Sequence, residues 1–176
     1  AVFNPEKLLW LNAEYLKTSP PTEIAQALVP LLEQAGLKDE VRACSIEWLA
    51  QLVVLVKERT KTLVEMVHWV TPYFGEVVVF DEEAAKKFLT STHAAVLTKL
   101  VERFEALLTF SKHEWEEAFK KLVAEEGIKM GQLAQPVRVA LTGRTASPGL
   151  FEVMEVLGRD RTLLRLRRGI ERASRS

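Results

Sequence analysis

The sequence predicts an all-α protein of two small helical subdomains, and three observations predict it. Apolar residues recur at three- and four-residue spacing along nearly the whole chain, which lines one side of a helix. Capping residues and proline or glycine stops punctuate that pattern at helix-length intervals. The one stretch with strand character, Val77 to Phe80, has no second strand to pair with, and a lone strand is not stable in water.

The elements follow in order. Asn4 caps and Pro5 opens a first helix that carries Leu8, Leu9, Leu11, Tyr15 and Leu16 along one side. Ser19-Pro20-Pro21 stops it; Thr22 starts the second helix, which runs through Leu32 to a stop at Gly36. A third helix is expected from Asp39 to Val56, with Cys44 packed inside it, and a fourth over "TKTLVEMVHWV" after a break at Lys57 to Thr60. The segment "PYFGEVVVFDEEAAKK" is the expected join between subdomains, a linker that packs its valines, after which Asp81 caps the next helix. Helices are then expected over 81–90 and 91–108. In "SKHE", Ser111 and Glu114 form a capping box, opening a helix that ends at Gly127. Pro136, Gly143, Pro148, Gly149 and Gly158 cut the last third into short helices.

At 176 residues the chain is long enough to bury most of its apolar surface without metals or disulfides. Its single Cys44 has no internal partner and favours a reducing compartment. No apolar run approaches the roughly 20 residues of a membrane span, and the first residues lack the layout of a signal peptide, so no membrane partner and a cytoplasmic location are expected. The chain starts at Ala1 rather than Met, as a processed chain or a piece of a longer one would. A monomer is expected.

Charge is balanced overall, with 24 basic and 24 acidic side chains, but unevenly spread. From Gln135 onward nine arginines face four carboxylates, which gives this end an excess of +5 and the remainder −5. A solvated face laced with ion pairs is the plain reading of such a run. A surface for a polyanion is the other.

Catalytic chemistry is not visible. The chain has no glycine-rich phosphate loop, no paired cysteine motif and no serine elbow. His68, His93 and His113 lie far apart, and only Glu65-x-x-His68 has metal-ligand spacing, without the second half that a helical di-metal site needs. His113 and Glu117 are read as an ion pair, and Trp10, Trp48, Trp69 and Trp115 as core. No catalytic residue, metal or cofactor is therefore assigned to this chain, and binding is the better hypothesis.

In "IKMGQLAQPVRVALTG", Lys129, Gln132, Gln135 and Arg138 recur every third residue, interrupted by Pro136 as if across two helices. Amide and cationic groups gathered on one side hydrogen-bond bases and phosphates; the wet side of a helix would read the same. In "ALTGRTASPGLF", Ser147 and Pro148 signal a helix start whose N–H groups attract anions. Arg144 stands ahead of it, and Leu150 and Phe151 just inside. Single-stranded RNA loops are held in this manner, with splayed bases packed and hydrogen-bonded on their pairing edges.

The segments "FNPEKLLWLNAEYLK", "ERTKTLVEM" and above all "GQLAQPVRVALTGRTASPGLFEVMEVLGRDRTLLRL" resemble the C-terminal, anticodon-binding half of bacterial glutamyl-tRNA synthetases, class I aminoacyl-tRNA synthetases. The likeness extends over essentially the whole chain, with Val77 to Lys121 the least distinctive part. The family's catalytic signatures, H-I-G-H and K-M-S-K in type, do not occur. The resemblance implies that residues 1–20 end a stem-contact region, that 21–74 and 75–176 are two anticodon-binding subdomains, and that the partner is the anticodon loop of tRNA(Glu). ATP and magnesium would belong to the parent enzyme, not to this part.

Carried over by motif, Arg59 in "ERTKTL" takes the position expected to read the third anticodon base. Cytosine offers the acceptors O2 and N3 there, whereas guanine offers donors that face a donor-only guanidinium. Arg59 thus implies preference for the C that ends the glutamate anticodon over the G that ends the glutamine one. Arg138 matches the arginine expected at the other bases, with Lys129, Gln132 and Gln135 in support, and Pro148 and Leu150 match the turn that receives a splayed base. Arg144 and Ser147 join this set. The competing reading is a helical protein-interaction module whose arginine-rich tail meets an acidic partner.

Overall fold

The computed structural model describes residues 4–175. Phe3, which opens the first resembling segment, and Ser176 lie outside the described residues. The described residues form ten α-helices and two single-turn 3₁₀ helices, with no strand among them. The chain divides into two compact units, Ala1–Phe74 and Gly75–Ser176.

The first unit contains α1 (Pro5–Thr18), α2 (Pro21–Gln34), α3 (Lys38–Ala43), α4 (Ile46–Val56), a 3₁₀ turn at Lys57–Arg59, α5 (Leu63–Val70) and a second turn at Thr71–Tyr73. Ile24, Leu28 and Leu32 of α2 pack with Leu49, Leu52, Val53 and Val56 of α4 and with Met66 and Val70 of α5. Each such side chain, fully removed from water, contributes about 1.5–3 kcal/mol before entropy is charged against it. Asn4 caps α1 as its sequence requires, accepting from the N–H groups of Glu6 and Lys7.

Four expectations change in this unit. The single helix over 39–56 is two, because Cys44 and Ser45 leave helical geometry and the Ser45 hydroxyl caps Trp48 at 3.1 Å. A serine offered as a cap competes with helix continuation, and here it wins. Cys44 is accordingly half-buried, its thiol donating to the Val41 carbonyl. The apolar side of α1 is not core: Leu8, Leu9, Leu11 and Tyr15 are exposed, Trp10 is 60% exposed, and only Leu16 is buried.

The second unit contains α6 (Glu82–Phe88), α7 (Ser91–Glu105), α8 (Lys112–Glu126), α9 (Met130–Thr142) and α10 (Leu150–Ser174). α10 is the axis of the unit and packs on α7, α8 and α9. Gly158 interrupts it at φ 76°, ψ 171°, a backbone conformation essentially reserved for glycine. Gly169 lets it touch α9: a Cβ there would lie 2.6 Å from that of Ala140. Asp81 caps α6, and the Ser111–Glu114 capping box opens α8 as expected.

Corrections here have physical causes too. Of the linker valines only Val78 is buried, while Val77 and Val79 point outward. α9 runs unbroken through Pro136. The carbonyl that a proline deprives of its partner belongs to the residue four before it, and Gln132 is exposed, so the lost bond is not a buried one. α10 starts at Leu150 with Gly149 as its cap residue, two positions later than Ser147 would place it.

Candidate nucleic-acid interface

In the first unit, Arg59 ends the 3₁₀ turn that follows α4 and is exposed. Its backbone neighbours are fixed on both sides. Thr60 is buried and its hydroxyl donates to the Lys57 carbonyl at 3.3 Å. The Lys61 N–H donates to the Glu65 carboxylate at 2.7 Å, and the Thr62 hydroxyl caps Glu65. The guanidinium carbon stands 5.9 Å from the centre of the Trp69 ring, at the outer reach of a cation–π contact. Trp69 is thus half-buried beneath Arg59 rather than wholly core. Periodicity could not have shown this contact, since it pairs a turn residue with a helix residue. Glu65 serves that cap, and among the described residues no three His, Cys, Asp or Glu side chains gather to hold a metal.

In the second unit, α9 carries Gln132, Gln135 and Arg138, with Lys129 at its cap position. They do not share one face. A step of three residues rotates about 60° around a helix, so Lys129 and Arg138 fall on opposite sides. Gln132 uses its carbonyl oxygen to accept the Lys129 N–H at 2.7 Å and so closes the first turn. Gln135 is half-buried, with a buried Oε1 that has no hydrogen-bond partner. Beside Gln132 lies a half-open depression of about 470 Å³, lined by Phe88, His93, Val96 and Ile128 with Lys87 on its rim. Burial lowers the pKa of His93, and its Nδ1 lies 2.9 Å from the Thr90 hydroxyl.

The C-terminal end of α9 and the loop after it form one hydrogen-bonded turn. Arg138 donates through Nε to the Ser147 hydroxyl at 2.9 Å, and that hydroxyl donates to the Pro148 carbonyl at 2.8 Å. The Thr142 hydroxyl donates to the Arg138 carbonyl at 2.8 Å and accepts the Arg144 N–H at 3.3 Å. Gly143 turns the chain at φ 74°, and its carbonyl accepts the Asp81 N–H at 2.9 Å. Pro148 and Leu150 are buried, so they support the turn rather than form an open apolar patch. Phe151 packs edge-on against Phe119.

The N-terminus of α10 is already served by the protein's own anion. The Glu152 carboxylate lies over Gly149 and pairs with Lys112. That donated hydrogen bond, before all else, holds the Glu152 carboxyl below its ordinary range and raises the Lys112 ammonium. A free helix end waiting for phosphate, expected from Ser147-Pro148, is therefore not what this turn presents.

The arginine-rich tail is likewise engaged within its unit. Arg165 is fully buried and donates to the Leu141 carbonyl at 2.7 Å and the Gly75 carbonyl at 2.9 Å. Arg168 donates to the Glu76 carbonyl, Arg172 to Glu82 and Arg167 to Glu105. Arg159 stacks over Phe110 at 4.4 Å. Much of the +5 excess works as internal clamps. Glu117, expected to pair with His113, approaches Lys120 at 3.4 Å.

The family described as "Anticodon binding domain" matches residues 23–170. A glutamate–tRNA ligase of Geobacter sulfurreducens is 46% identical over 96% of this chain, and one of Thermodesulfovibrio yellowstonii is 40% identical over 97%. The match takes up 35% and 37% of those proteins, so the chain spans about a third of their length. A crystal structure of a glutamate tRNA ligase from Elizabethkingia meningosepticum, in complex with its amino acid, superimposes with a TM-score of 0.79. It is 27% identical over 96% of this chain and 32% of that one.

Proposed function

Because the chain belongs to the anticodon binding domain family, we propose that it is the part of a glutamate–tRNA ligase that recognises the anticodon loop of tRNA(Glu). The observation that carries this reading is the family match across residues 23–170, joined by 46% identity to a glutamate–tRNA ligase. Attachment of glutamate, with its ATP and magnesium, falls in this reading to the part of the longer relatives that the chain does not span. Residues 1–20 are the end of the stem-contact region, and 21–74 and 75–176 are the two reading subdomains. The protein works in the cytoplasm as a monomer.

Within this reading Arg59 meets the third anticodon base. Its fixed backbone and the Trp69 ring beneath it limit the directions its donors can take, which favours the two acceptors of cytosine over the donor edge of guanine. Arg138 and the Pro148–Leu150 turn take the other bases. The turn does so through its backbone and exposed Gly149 rather than through the buried Pro148 and Leu150 side chains. Lys129, Gln132, Gln135 and Arg144 are secondary contacts in this reading, since from their different sides of α9 and its loop they cannot all face one base.

Titration with two anticodon stem-loops that differ only in their last base, UUC against UUG, tests this. UUC should bind more tightly, and Arg59→Ala should weaken UUC by about 1–3 kcal/mol, the worth of a good base-edge contact, and abolish the preference. Equal binding of both loops would remove the discriminating role of Arg59, and absence of salt-sensitive binding to either would overturn the tRNA reading itself.

A further inference from the structure

We propose that Ser147 governs base recognition indirectly, as a positioning residue that sets the plane of the Arg138 guanidinium. The inference rests on the anticodon reading above and departs from the expectation that Ser147 touches RNA itself. A hydroxyl has one proton to give. That of Ser147 goes to the Pro148 carbonyl at 2.8 Å, which leaves an oxygen lone pair to accept the Arg138 Nε–H at 2.9 Å. With its proton engaged, Ser147 has nothing to donate to the acceptor atoms on a base edge.

The arrangement suits orientation. A guanidinium is planar, so a hydrogen bond at Nε, together with the side-chain stem, determines which way its plane faces. The receiving end is stiff: Pro148 has a fixed φ and no N–H, is buried, and leads into the start of α10, where the Glu152 carboxylate is pinned by Lys112. The giving end is stiff as well, since the Thr142 hydroxyl ties the Arg138 carbonyl to the Arg144 N–H. Ser147 is thus the joint through which the loop's geometry reaches the side chain that α9 presents.

A double-mutant cycle on the full chain, read by titration with the UUC stem-loop, tests the proposal. Ser147→Ala should weaken binding about tenfold, the scale of one hydrogen bond to a charged group, while the salt dependence of binding stays unchanged. Ser147→Thr should restore it. In an Arg138→Ala background, or in Arg138→Lys, which lacks the Nε donor, Ser147→Ala should cost less than about twofold, since effects that share one contact do not add. An equal penalty from Ser147→Ala with and without Arg138 would overturn the proposal and assign Ser147 a direct contact. Circular dichroism and melting of each variant identify a penalty that comes from misfolding, which would persist in all backgrounds and count against it too. Failure of the unsubstituted chain to bind the stem-loop would sink the anticodon reading and this proposal with it, whereas binding with additive penalties sinks this proposal alone.

Discussion

Gly143 shows how much one residue can fix. Its positive φ ends α9, its carbonyl accepts the Asp81 N–H, and a Cβ on it would lie 2.0 Å from the Val79 carbonyl oxygen. Gly143→Ala therefore meets two penalties, a left-handed backbone that disfavours side chains and a collision with backbone that has no rotamer to yield. A loss of at least about 2 kcal/mol is expected, measurable as a lowered urea midpoint with an unchanged slope. At the same scale, Arg138 and Ser147 were both legible in the sequence as polar candidates beside a turn. The bond between them was not, because it depends on how the loop folds back and no spacing rule encodes that.

At the scale of elements, helices whose ends carry strong caps were readable and those set by competition were not. Asn4, Asp81 and the Ser111–Glu114 pair sit where their hydrogen bonds require. The break at Cys44–Ser45 and the survival of α9 through Pro136 were missed, since each turns on which of two local preferences prevails. α8 offers a direct check on capping energetics. Ser111→Ala removes the acceptor for the Glu114 N–H and one of the two donors to the Glu114 carboxylate, the Ser111 backbone N–H remaining, and should cost about 1 kcal/mol, seen as a drop in melting temperature. α9 teaches a different lesson: a polar residue at every third position suggests a stripe, yet the helix repeat of 3.6 residues winds that stripe half-way round. Its four members lie on one helix and its cap rather than on two helices, and they share no common face.

At the scale of the whole molecule, acid should weaken the fold in two stages. Burial lowers the pKa of His93 below 6.5. The stability linked to its neutral form is therefore complete above that value and is lost as pH falls through the lowered one. Glu152 is held below 4.5 by Lys112, so its contribution is complete above 4.5 and goes only as pH falls further. Melting curves followed from about pH 7 down to about pH 3 should show both stages, with His93→Gln removing the upper and Glu152→Gln shrinking the lower. Binding should respond to salt in its own way. Each phosphate neutralised by the chain should contribute about −0.7 to the logarithmic slope, and a tail bound to its own unit should contribute little. Exchanging Arg167, which pairs with Glu105 of its own unit, for Gln should leave that slope unchanged.

The inward bonds of α10 also decide what a premature stop would do. Arg165 and Arg168 hold the carbonyls of Gly75 and Glu76, the first of these lying 90 residues upstream. A nonsense codon at position 161 would spare every residue proposed here to meet RNA, yet it would remove the buried Leu163, Leu166 and Ala173 together with Arg165, so that α7 and α9 lose part of the helix they pack on and the opening stretch of the unit is unfastened. A protease should cut such a shortened chain first between residues 75 and 81.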